Sequence, residues 1–163
     1  MEKNKKMSAA RRSMAVILAF AFAAFAKSAA AALPDALDEW RGTSAQVTEF
    51  TLTKDAENLG QWQRRIYIRD APAASVEANL MEGPGTGTLF VPEGVPDGEI
   101  GPSSAYETLN IAGKRAILER GEVTGHALAV ALGEHRTLTL ETKSLTREEL
   151  LEFTQRLIAT LER

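Results

Sequence analysis

The sequence predicts an α+β domain: a single antiparallel sheet of about six or seven strands with a C-terminal amphipathic helix packed on one face. Three observations lead there. Most of the chain after residue 44 falls into segments whose apolar residues recur at every second position, the period of a strand with two unlike faces. The connections between several of these segments are short and contain Gly or Pro, so sequence neighbours are expected to pair antiparallel. From Thr146 onward the period changes to the three-and-four spacing of a helix.

The chain opens differently. Lys3, Lys5, Lys6, Arg11 and Arg12 precede Met14 to Ala26, which reads MAVILAFAFAAFA without a charge. A basic stretch, an apolar core and small residues beyond it form the pattern of a secretory signal peptide. Residues 1–32 are read as that signal, cut after Ala32, with Ala24-Phe25-Ala26 offering an earlier exit. The apolar core is shorter than the ~20 residues a membrane helix needs. An uncleaved segment from Met14 to Leu33 is the alternative, and only then is a membrane expected as a partner. Arg11-Arg12 lacks the downstream features of a twin-arginine signal, so the plain secretory route is expected, and the product is placed in the periplasm or outside the cell.

Residues 33–163 then form one domain, long enough to bury a core of its own. The chain holds 19 basic and 22 acidic residues, a formal charge of −3. Six of the basic residues and one acid lie in 1–32, which leaves 13 against 21, a formal charge of −8. Such acidity argues against nucleic acid, whose phosphates need clustered Lys and Arg. There is no cysteine. That removes disulfides, thiol nucleophiles, cysteine-ligated metal and lipidation at the signal boundary.

Taken in order, Leu33 to Trp40 reads as a short helical turn, with Pro34 near its first position, acids in the first turn, and Leu37 and Trp40 docking on the core. Strands are expected over Ala45–Lys54, Trp62–Asp70 and Ser75–Glu82. In the second, Trp62, Ile66 and Ile68 occupy one face and Gln63, Arg65, Tyr67 and Arg69 the other, which is read as the polar, solvated one. Gly83 to Pro102 holds six of the twelve glycines and four of the six prolines, and is read as one long loop. Strands resume over Ala105–Ala112, Arg115–Arg120, Gly125–Leu132 and Arg136–Thr142, the last two joined by a tight turn at Gly133-Glu134. In the closing helix, Thr146 and Glu149 make a capping box and Leu145 with Leu150 a hydrophobic staple. Leu150, Phe153, Leu157, Ile158 and Leu161 form its apolar stripe.

Chemistry is sparse. His126 and His135 sit at opposite ends of one expected hairpin, roughly 20 Å apart at about 3.3 Å per residue, so they share neither a metal nor a catalytic dyad. Gly83-Pro84-Gly85-Thr86-Gly87 has the glycines of a phosphate loop without its Gly-Lys-Ser/Thr ending. Asp97-Gly98-Glu99 offers too few oxygens at fixed spacing for an EF-hand. The carboxylate pairs Asp38-Glu39 and Glu148-Glu149 are explained by helix first turns. No catalytic residue, metal or cofactor is assigned. The ligand-binding candidate is Arg65, Tyr67 and Arg69, because two guanidiniums around an aromatic ring can grip a carboxylate, sulfate or acidic sugar.

The order of Leu33-Pro34 with Leu37 and Trp40, a strand containing Tyr67, Tyr106 ahead of Gly113-Lys114-Arg115-Ala116, a strand at Arg136-Thr137-Leu138 and a closing Leu-Thr-x-Glu-Glu-Leu helix from Leu145 resembles an uncharacterised family of small exported bacterial proteins of unknown function. The resemblance implies an exported sheet-plus-helix domain and transfers no catalytic residue. The function expected is an exported non-enzymatic binding or interaction module, whose partner is an unknown small ligand or an envelope protein. The alternative is a small extracytoplasmic hydrolase-like enzyme using a histidine and a carboxylate.

Overall fold

The computed structural model describes residues 32–51, 58–84, 97–101 and 104–163. Residues 1–31, which carry nearly all of the signal reading, and residues 85–96 of the Gly/Pro-rich stretch lie outside the described residues. In chain order the elements are β1 (Ala36–Leu37), β2 (Trp40–Gly42), β3 (Gln46–Thr51), β4 (Asn58–Arg69), β5 (Ala74–Glu82), β6 (Gly98–Gly101), β7 (Ser104–Ile111), β8 (Lys114–Gly121), β9 (Gly125–Gly133), β10 (Arg136–Thr142) and α1 (Arg147–Leu161).

The α+β class holds, with more strands than six or seven. All ten described strands join one antiparallel sheet in the order β1-β2-β4-β5-β10-β9-β8-β7-β6, with β3 also paired to β4. The extra strands come from two places. Leu33 to Trp40 is not a helical turn but the beginning of a small hairpin, β1–β2, turning at Asp38 with φ 51°. The end of the presumed long loop is strand β6, held against β7 where Asp97 Oδ1 accepts from the Thr108 N–H and hydroxyl, both at 2.8 Å. Asp97 is thus a structural acceptor.

Local chemistry explains the turns. β7 and β8 are joined by Ala112 and Gly113, both at positive φ (51° and 79°), the two-residue turn that matches strand twist. The Asn110 side chain accepts from the Gly113 N–H at 3.0 Å. β9 and β10 close around Glu134-His135, with Gly133 opposite Arg136, one residue later than the expected Gly133-Glu134 turn. A register shift between Arg136 and Thr137 absorbs the difference.

Register lines up the inner face. One row runs Gln63, Leu80, Leu138, Val130, Ala116 and Leu109 across β4, β5, β10, β9, β8 and β7. The next row holds Arg65, Ala78, Leu140, Leu128, Leu118 and Glu107. Both rows are aliphatic in the middle and polar at β4, and the second is polar at β7 as well. Helix α1 lies on this face, burying Leu150, Phe153, Thr154, Leu157, Ile158 and Leu161. Thr154 is the one polar residue in the stripe, and its hydroxyl donates to the Leu150 carbonyl at 2.6 Å.

The chain turns from β10 into α1 through a hydroxyl corner. Thr142 Oγ1 donates to the Ser75 carbonyl at 2.7 Å and accepts from the Ser144 and Leu145 N–H groups. Ser144 Oγ accepts from the Ser75 N–H at 2.9 Å. The cap is as the sequence predicts: Thr146 Oγ1 accepts from the Glu149 N–H at 3.2 Å, and Glu149 Oε2 accepts from the Thr146 N–H at 3.0 Å. Leu145 and Leu150, the staple pair, are both buried. Because Leu157 has no exposed surface at the centre of this contact, Leu157→Ala is expected to lower stability by about 2–5 kcal/mol, the range for emptying a core leucine site. Urea unfolding is the check; a loss below ~1 kcal/mol would mean the helix does not carry the core.

Candidate functional site

The candidate residues Arg65, Tyr67 and Arg69 are on one face of β4, as the alternation predicts, but it is the inner face and not a solvated one. Gln63, Arg65 and Tyr67 are 4%, 7% and 0% exposed, while Ile68 on the opposite face is 36% exposed. The physical reason is that Arg and Tyr carry long apolar bodies with polar ends, and here each end meets a partner brought by the N-terminal strap, Leu33 to Gly42. In the register Tyr67 stands opposite Val76 and Arg65 opposite Ala78, so their stems extend the aliphatic rows. Outside, the Trp62 indole N–H donates to Asn79 Oδ1 at 3.0 Å.

The strap meets β4 residue by residue. The Leu33 N–H donates to Gln63 Oε1 at 3.1 Å, and the Tyr67 hydroxyl donates to the Pro34 carbonyl at 2.9 Å. Arg65 Nη1 donates to Asp35 Oδ1 at 2.6 Å. The Arg69 guanidinium lies 4.8 Å from the Trp40 ring centre, donates through Nη2 to Glu149 Oε1 at 3.0 Å, and reaches the Pro72 carbonyl through Nε. Trp40 and Tyr67 both meet the Phe153 ring edge-on, at 5.0 and 5.4 Å between centres. Burial pushes the Tyr67 phenol well above its ordinary pKa, with neighbouring Arg65 pulling the other way.

Gly42 is where this arrangement demands a glycine. A Cβ there would come within 2.7 Å of Arg65 Cδ and 2.9 Å of the Asp35 carbonyl, so only a bare backbone lets the strap lie over the guanidinium. Arg65 Nε remains buried without a hydrogen-bond partner. The two arginines do grip carboxylates, as the residue types suggest. The carboxylates belong to the chain itself: Asp35 from the strap and Glu149 from the helix. Asp35 lies thirty residues from Arg65, and no local spacing reveals that pairing.

Two notches border this region. One lies between the strap and α1, lined by Glu39, Trp40, Arg69, Glu149, Phe153 and Arg156, with a volume of about 30 Å³. The other, about 40 Å³, opens where β2 gives way to β3 beside Thr43, Ser44, Gln46, Arg64 and Arg65. Both are far smaller than the roughly 300–1,000 Å³ of an ordinary small-molecule site. In the first, Arg156 bridges Asp38 at 3.0 Å, Glu39 at 3.5 Å and Glu152 at 2.5 Å, closing the strap onto the helix with ion pairs.

The histidines are placed apart. His126 pairs with Thr142 and Arg120 at one end of the β9–β10 hairpin, and His135 lies in the turn at the other. His135 Nε2 is 3.9 Å from Glu134 Oε1, both side chains being largely exposed. Glu107, an inner-face carboxylate on β7, is engaged by Arg147 and by Arg120. Among the described residues no group of three or more His, Asp or Glu side chains is arranged to hold a metal. Among the same residues no helix is long and apolar enough to cross a membrane.

These features define a two-layer α+β domain whose sheet is closed on its inner face by one helix and a strap. No protein-family model, curated protein or solved structure matches the chain.

Two predictions follow from the polar contacts. Tyr67→Phe deletes only the hydroxyl that meets Pro34 and is expected to lower the urea midpoint by the equivalent of about 1–2 kcal/mol with an unchanged m-value; an unchanged midpoint would show the strap is not held there. The second concerns acid. Glu149, held first by the Thr146 N–H and then by Arg69, Glu107, held by Arg147, and Glu77, held by Arg64, all have carboxyl pKa values below the usual range. Their contribution is complete above the unfolded value of about 4.3 and is lost as pH falls through the lower folded values. The urea midpoint is therefore expected to stay level from pH 7 to about 5 and to fall below about 4.5. Glu149→Gln should shrink that fall, and an equal fall in the variant would remove Glu149 from the account.

Proposed function

We propose that the chain is an exported, non-enzymatic interaction module acting in the periplasm or outside the cell, and that its partner is an envelope protein met at the surface. One observation carries the reading: the inner sheet face is filled. Leu80, Leu128, Val130, Leu138, Leu140, Leu150 and Leu157 have no exposed surface, and the two notches among the described residues hold only about 30 and 40 Å³. A buried small-molecule site ordinarily occupies about 300–1,000 Å³, so a small ligand has less support than a protein. The side chains best suited to gripping an anion, Arg65 and Arg69, are spent on Asp35 and Glu149. Their role in this reading is to hold the strap that completes the scaffold.

Export is supported by the basic start and apolar core of residues 1–32. The test is to express the full chain in a bacterial host, fractionate, and weigh the product. A mass lacking about the first 32 residues in the extracytoplasmic fraction, and an envelope protein retained at physiological salt, are the expected results. Full-length protein confined to the cytoplasm would overturn export. A metabolite that raises the melting temperature, with no protein retained, would overturn the protein-partner reading.

A further inference from the structure

We propose that the free edge of β3 is a strand-addition site for a short extended peptide segment that carries an aliphatic and a basic residue two positions apart on one face, a reading that rests on the protein-binding function proposed above. β3 pairs with β4 over all of Gln46–Thr51, and among the described residues it has no strand on its other side. A paired edge strand presents a row of backbone N–H and C=O groups already held in the geometry a further strand needs. Gln46, Val47, Thr48 and Glu49 are exposed in succession, and Val47 keeps 57% of its surface in solvent.

The edge is rigid at its start. At the kink between β2 and β3, Thr43 replaces a ladder rung: its N–H donates to the Ile66 carbonyl at 2.8 Å and its hydroxyl accepts from the Ile66 N–H at 3.2 Å. At the far end a register shift between Phe50 and Thr51 interrupts the ladder. Gln46 to Phe50 is therefore the usable length, about 17 Å at roughly 3.3 Å per residue. Lys and Pro are missing from QVTEFT, and the charge that guards this edge is Glu49, which a basic partner would neutralise.

Side chains choose the occupant. Val47 stands beside Gln63 and Glu49 beside Gln61, so both project on the inner-face side, one aliphatic and one anionic. Gln46 and Thr48, opposite Arg64 and Trp62, give the other side no net charge of their own. An incoming strand is matched by an aliphatic residue next to Val47 and a Lys or Arg next to Glu49, and the acidic domain favours a basic segment at longer range.

The test uses the exported chain with two synthetic six-residue probes, one Thr-Val-Thr-Lys-Thr-Val, which carries Val and Lys two positions apart on one face, the other identical with Glu replacing Lys. The basic probe is expected to bind and to slow hydrogen exchange at amides within residues 46–50, with the acidic probe at least tenfold weaker. Glu49→Lys should reverse the preference, and Val47→Lys should weaken the basic probe at least tenfold. Both residues are exposed, and an unchanged melting temperature shows that the variants fold. Equal binding of the two probes, no binding of the basic probe, or protection that grows with protein concentration in the absence of probe would each overturn the proposal; the last outcome identifies a second copy as the occupant. An envelope protein retained equally by native chain and Val47→Lys would overturn the edge site while leaving the protein-binding function in place. No retained protein at all would remove both.

Discussion

The structure depends on matching the polar ends of one strand. β4 faces inward with Gln63, Arg65 and Tyr67 buried and Arg69 largely so, and unmatched buried polar groups cost far more than hydrogen bonds gain. The strap is what matches them: Leu33 meets Gln63, Pro34 meets Tyr67, Asp35 meets Arg65 and Trp40 lies beneath Arg69. Remove the strap and those groups face either water or one another. Leu33, Leu37 and Trp40 supply the apolar half of the same contact, all at 6% exposure or less. The strap therefore contributes both as packing and as the satisfaction of polar groups that packing alone cannot serve.

Helix α1 is held to the sheet on both flanks by the same logic. At its first turn Arg147 reaches Glu107 on β7 while Glu149 takes Arg69 from β4, so the helix start is anchored to strands far apart in the sheet. Glu149 serves two purposes, accepting from the Thr146 N–H through one oxygen and from Arg69 through the other. At the far end Lys114 pairs with Glu162 at 2.8 Å and also donates to the Leu132 carbonyl, placing a cation where the helix dipole favours one. Exposed ion pairs contribute little singly. Their effect here is to fix the direction in which the leucine stripe crosses the aliphatic rows.

The elements with a strong period were legible. The seven longer strands fall close to their expected ranges, and the cap, staple and stripe of α1 match residue for residue, because each depends on local spacing. What stayed hidden depends on distant partners. Alternation showed that Arg65, Tyr67 and Arg69 share a face of β4, but hydropathy assigned that face to solvent, since the strap that neutralises it lies thirty residues away. The Leu33–Trp40 segment carries proline and acids typical of a helix start, yet pairing of β1 with β2, which itself joins β4, overrides that preference. β6 was obscured by the glycines and prolines around it, and no local spacing announces that Asp97 bonds to Thr108, eleven residues on.

The same long-range contacts bear on how the domain assembles. Arg156 and Asp38 are joined across 118 residues and Arg69 and Glu149 across 80, and such closures cost entropy that only the finished interface repays. The β6–β10 meander contains nearest-neighbour hairpins and can form from local contacts. The β4–β5 hairpin then has to join the free side of β10, which β5 meets through Leu80 and Leu138. Only after that does β4 offer the inner surface on which strap and helix meet, with Phe153 wedged between Trp40 and Tyr67. Strap docking is thus a late step by topology, whereas β3 is the sequence neighbour of β4 and pairs with it directly, from Thr51 opposite Asn58 to Gln46 opposite Arg64.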